Sequence, residues 1–226
     1  MRKSAIILAR VLAFIELFDL LSGSKTSTSE VVTRLVERYG FQKFPKTIEE
    51  LDPGKGIEFL AGSTGEFPIK KFVIWDTLLT LETNISTDVS KGIIEEILEW
   101  ASKELDIKYK PGAIKRFGYI SDVTFFSDAQ ILDVNPSVRS LAVKCSEELS
   151  RIWLEPVKYE PFTVRIGHDP TSRKYPIAPF LIEHRAETRF SEDKYFSEAP
   201  LPTDLHWKLL EEFELNMQLN RKAGNV

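Results

Sequence analysis

The sequence predicts an α+β fold: a largely antiparallel sheet of about five strands with helices packed on it, preceded by an N-terminal helical hairpin. Three observations carry that expectation. Two pairs of β-favouring runs, one within residues 67–83 and one within 162–187, are each joined by a turn, as antiparallel neighbours are. Segments between and after them repeat apolar residues at helical spacing. No fixed-period repeat, low-complexity stretch or linker divides the last two thirds of the chain. Residues 1–44 read as the helical hairpin and 45–226 as the α+β domain.

The first helix is expected over residues 5–21, where Ile7, Val11, Phe14, Ile15 and Phe18 share one face. Ile6, Leu17, Leu20 and Leu21 fill much of the other, so this helix must bury both sides, against the core or against another chain. Its terminal position favours a subunit contact. The second helix follows a polar loop and a capping box, Ser27 with Glu30, and stops at Gly40. Thr47 and Glu50 read as a cap on one short turn. Residues 41–65 otherwise read as irregular, and their glycine pairs fit turns better than GxxxxGK[ST] phosphate loops.

Phe72–Trp75 and Leu78–Leu81 read as two strands reversing near Asp76-Thr77, or as one bent strand. Ser86 or Thr87 caps a helix whose stripe is Val89, Ile93, Ile97, Trp100 and Ala101. A third strand region covers 114–126. Asn135-Pro136 is a strong helix start, and Val138, Leu141, Ala142, Cys145, Leu149 and Ile152 then share a face expected to be buried. Alternation in 162–168 and 180–187 gives two further strands. Residues 188–202 read as an aromatic-rich loop, and Thr203 caps a final helix with Leu205, Leu209, Leu210, Phe213 and Met217 inward.

The totals limit the function classes. A net charge of −4, with Lys70-Lys71 and Lys115-Arg116 as isolated basic pairs, disfavours nucleic acid as a partner. The single cysteine excludes an internal disulfide and fits a reducing compartment. The apolar start is interrupted by Arg10, Glu16 and Asp19, so no membrane insertion is expected. A cytoplasmic location follows.

Three readings of function remain. The preferred one is a non-catalytic interaction or assembly protein, self-associating into a homo-oligomer and binding a protein partner. Its contact residues would be Phe14, Phe18, Tyr175, Phe190, Tyr195 and Phe196, aromatics placed among polar residues or on the doubly apolar first helix. The second is a metal-dependent hydrolase with its catalytic centre at His168, Asp169 and His184, and His206 as a further metal ligand, because these residue types bind zinc and a metal-bound water hydrolyses esters. No HExxH, CxxC or HxH spacing accompanies them, nor a GxSxG elbow. The third is a small-ligand-binding module, an aromatic-walled sheet face holding an apolar ligand. No phosphate, nicotinamide or metal motif appears, so no cofactor is expected.

Overall fold

The chain begins with a strand where the sequence predicts a helix. A computed structural model describes residues 1–110, 112–172 and 177–224, and its first element is strand β1 (Arg2–Phe14). Ala9, Val11 and Ala13 are buried in alternation, and the residues between them are half-buried. A strand covered on both faces carries apolar residues at nearly every position, and a helical subset can be drawn from any such run. There is therefore no N-terminal helical hairpin. Only a five-residue helix, α1 (Leu17–Leu21), precedes α2 (Thr28–Tyr39).

Among the described residues the sheet has eight strands, not about five. β3 (Pro68–Trp75), β4 (Leu78–Thr83), β5 (Arg116–Phe126), β6 (Thr163–Ile166) and β7 (Phe180–His184) match the expected runs. β1 is one addition. β2 (Ile57–Ser63) lies in the glycine-rich stretch that reads as irregular, and β8 (Lys194–Ala199) lies in the expected loop. The sheet is antiparallel, in the order β2-β3-β4-β1-β5-β8-β7-β6. Among the described residues three longer helices follow: α3 (Thr87–Glu104), α4 (Pro136–Trp153) and α5 (Thr203–Gly224). Among the described residues no helix is long and apolar enough to cross a membrane.

The chain divides into two compact units. The α3 unit comprises Ile6–Ser121 and Pro200–Asp204. Its core joins Val32 and Leu35 of α2, Ile93, Ile94 and Ile97 of α3, and Phe59, Phe72 and Leu81 of the sheet. The caps are where the sequence puts them: the Ser27 hydroxyl accepts from Glu30 N–H, the Ser86 hydroxyl from Val89 N–H, and Gly40 ends α2 in the left-handed conformation. Thr87 and Thr203 exchange backbone N–H to hydroxyl bonds at 3.1 and 2.8 Å, both fully buried.

The α4 unit comprises Met1–Ala5, Asp122–Ala199 and Leu205–Val226. Its buried residues include Val123, Phe125, Ile131, Leu132, Ile182, Tyr195, Trp207 and Leu210. Phe125 stacks on Tyr195 with ring centroids 5.6 Å apart. Glu214 of α5 takes a hydrogen bond from the Ser127 hydroxyl and is ion-paired with the Met1 amine.

Helix α4 departs from expectation. It begins as the sequence requires, with the Asn135 side chain accepting from Ser137 N–H at 2.8 Å, yet none of its residues is buried. Val138, Leu141 and Ile152 are 46, 62 and 71% exposed, and Cys145 is half-buried. The helix is held instead through its polar side. Ser146 and Ser150 hydroxyls accept the N–H groups of Tyr159 and Val157 at 2.8 and 2.9 Å. Of eighteen strongly exposed large apolar side chains among the described residues, eleven fall between 134 and 177. Five of these, Val138, Leu141, Val143, Ile152 and Trp153, lie on α4 itself, and Val134 and Leu154 flank it in sequence.

Candidate functional site

The residues singled out by sequence are dispersed over different environments. His168 lies in the exposed connection after β6, where its Nδ1 donates to the Asp169 carbonyl at 2.7 Å and its Nε2 accepts from Ile177 N–H at 3.2 Å. Both ring nitrogens are therefore engaged. The Asp169 carboxylate accepts from the Thr171 hydroxyl and N–H, which holds it below the usual carboxylate range. Among the described residues no three His, Cys, Asp or Glu side chains are grouped as a metal would need.

His206 sits on α5 and is fully buried, packed edge-on against Phe180 at 5.2 Å. Its Nε2 lies 2.8 Å from the Ser197 hydroxyl of β8, a Ser–His contact with no sequence signature. The chemistry runs opposite to nucleophile activation, however. The Ser197 hydroxyl donates its proton to the Leu181 carbonyl at 2.6 Å, so His206 must donate to Ser197. With both residues fully buried, the pair ties α5 to β8 and β7 within the core.

His184, at the end of β7, has the most distinctive surroundings. It is 5% exposed and lies among Phe190, Tyr195 and Phe162 at centroid distances of 4.5, 5.0 and 6.5 Å. Its Nδ1 has no hydrogen-bond partner among the described residues. Burial pushes the imidazole below its ordinary value, against the opposite pull of the Glu160 and Asp193 carboxylates. The folded chain thus binds fewer protons at His184 than the unfolded chain once pH falls below about 6.5, so this contribution to stability is complete above that pH and declines below it. Urea unfolding at about pH 8 and again at about pH 5.5 is expected to show a smaller loss for His184→Leu than for the wild type. Parallel losses in the two proteins would remove His184 from the account.

His184, Phe190 and Tyr195 form one wall of a cleft of about 640 Å³, within the roughly 300–1,000 Å³ typical of small-molecule sites. Ala142 and Val143 of α4 also line it, and Leu132 adds a buried apolar surface. Two ion pairs border it. Arg139 grips Asp133 through two nitrogens, with Nε to Oδ1 at 2.8 Å, and Lys158 pairs with Glu160. Asp193 completes the charged lining. Sequence reading flagged only His184, Phe190 and Tyr195 of this set. Arg139, Asp133, Lys158, Glu160 and Asp193 come from four separate segments, and no spacing links them.

A further cavity in the α3 unit holds only about 60 Å³ between α1, α2, α3 and the sheet. Its walls are apolar, and it is well below the roughly 150 Å³ of an apolar cavity that takes benzene. It reads as a packing void.

The proposed contact aromatics also differ among themselves. Phe18 on α1 is 81% exposed. Phe14 ends β1, half-buried, beneath the Arg116 guanidinium at 4.1 Å. Phe190 is half-buried in the cleft wall, and Tyr195 is buried. Phe196 is half-buried on β8, with Arg185 5.8 Å from its ring. Tyr175 lies outside the described residues. On α4, Val138, Leu141 and Ile152, which were expected to be core, are exposed. Compared with protein-family models and with curated proteins, the chain finds no match.

Proposed function

We propose that this is an assembly protein that self-associates through α4, with a second copy of the chain covering its apolar row. The observation that carries this reading is the lack of any buried residue on an 18-residue amphipathic helix. Exposing such a face to water forgoes about 1.5–3 kcal/mol for each large aliphatic side chain left uncovered, and contiguous exposed apolar surface marks interaction sites.

The occupant follows from the pattern of the row. Val138, Leu141, Cys145, Leu149 and Ile152 are spaced three, four, four and three residues apart, so the row reads the same from either end about Cys145. An antiparallel two-fold pairing sets Val138 against Ile152 and Leu141 against Leu149, with Cys145 at the axis, as an isologous contact requires. Lys144 and Glu148 share one flank, so the same operation brings Lys144 of each copy beside Glu148 of the other. In the single chain Lys144 has no ion-pair partner among the described residues, and Glu148 pairs with Arg151. The helix is about 27 Å long. It supplies part of the roughly 800 Å² each partner needs, and the exposed Trp153, Leu154 and Tyr159 extend the surface.

The test uses the only cysteine in the chain. Sedimentation equilibrium near 0.1 mM, a concentration that populates even a weak dimer, should report a dimer. A short bis-maleimide should then link two chains through Cys145. A monomer at that concentration, or a dimer that resists linking, rejects the α4 pairing.

A further inference from the structure

The cleft beside His184 supports a second, independent reading, because its charges do not cancel. Arg139 is matched by Asp133 and Lys158 by Glu160. Asp193 also lines the cleft, and no ion pair or side-chain hydrogen bond holds its carboxylate among the described residues. The lining therefore carries one surplus negative charge beside an aromatic wall.

The position of Asp193 sharpens the point. It ends a short 3-10 turn at φ 48°, in the left-handed region, with its N–H donating to the Phe190 carbonyl. Glycine or asparagine would serve that backbone equally well, so the turn makes no use of the carboxylate. What the carboxylate does is place negative charge near the His184 imidazole and the rings of Phe190 and Tyr195. Carboxylate and aromatic faces together are the recognised surroundings of an organic cation, whose charge is drawn to both.

We propose that this cleft binds a small organic cation, with an ammonium or amidinium head at Asp193 and an apolar body between Phe190 and Val143. The dimensions allow a body of one or two rings. The arrangement disfavours anions, since an entering carboxylate or phosphate would meet Asp193 with no unpaired cation to receive it. Occupancy would cover Ala142 and Val143 on α4 while leaving the row around Cys145 untouched, so this site and the self-association surface stand or fall separately.

The test is a charge series on one ring, read by isothermal titration calorimetry on the full chain with tyramine, 4-ethylphenol and 3-(4-hydroxyphenyl)propionate. Tyramine is expected to bind at least about ten-fold more tightly than the neutral phenol, with the anion weakest. Asp193→Asn keeps a residue suited to the left-handed conformation and should bring tyramine down to the level of 4-ethylphenol with little change in melting temperature. Phe190→Ala should weaken tyramine and the phenol together. Equal affinity across the series, a preference for the anion, no heat with tyramine at about 10 mM, or a cation preference that survives Asp193→Asn would each overturn the proposal. Should Asp193→Asn fold poorly, the wild-type series still decides the sign of the charge preference.

Discussion

The double substitution Leu141→Glu, Ile152→Glu should abolish self-association while leaving the chain folded. Both side chains are more than three-fifths exposed in the single chain, so their loss removes little that holds the monomer together, and surface changes of this kind usually fall within about 0.5 kcal/mol. In the two-fold pair each position occurs twice. Four aliphatic groups, each worth about 1.5–3 kcal/mol when buried, are replaced by carboxylates that would have to be desolvated. The expected weakening exceeds about a thousand-fold. Sedimentation should find a monomer whose far-ultraviolet dichroism and melting temperature match those of the wild type. A variant that remains dimeric places the interface elsewhere, and one that unfolds shows α4 to be needed by the core.

Truncating Phe59 to alanine should cost about 3–5 kcal/mol of stability, the range for removing a large buried aromatic. Phe59 is fully buried on β2, 5.1 Å from the Phe41 ring and 5.9 Å from that of Phe72, its partner across β3. The surroundings have little freedom to collapse into the space. Phe41 packs over Gly62 so closely that a Cβ there would come within 2.5 Å of its ring, and Tyr39 sits 6.1 Å from its other side. Denaturant titration measures the loss, and Phe59→Leu should fall between the two proteins. A cost under about 1 kcal/mol would mean that the aromatic cluster repacks.

Local chemistry was legible in the sequence, and coverage was not. Ser27, Ser86, Asn135 and the pair Thr47–Glu50 cap the elements they were expected to cap, because a cap is decided by a few neighbouring residues. β1 escapes a sequence reading because being covered on both faces erases the period of two that identifies a strand. β2 was obscured by its position among Gly54, Gly56, Gly62 and Gly65. β8 was obscured by Lys194, Ser197 and Glu198, polar residues in a six-residue strand whose Tyr195, Ser197 and Ala199 are nonetheless buried. For α4 the periodicity was correct and the inference from it was not, since an apolar stripe shows which face is apolar without showing what lies against it. The cleft was hidden for another reason. Its charged residues become neighbours only through the pairing of β7 with β8 and the return of the chain from α4, so only His184 and its aromatic neighbours could be flagged.

The way α4 is held, through serine hydroxyls with its apolar row turned outward, separates two kinds of information in the chain. Most core residues change only at a cost in stability, and they keep the molecule folded. Val138, Leu141 and Ile152 are free of that constraint, so substitutions there can accumulate without endangering the fold. A lineage carrying this scaffold could exchange one associate for another by rewriting a few outward positions on a single helix, leaving the sheet unaltered.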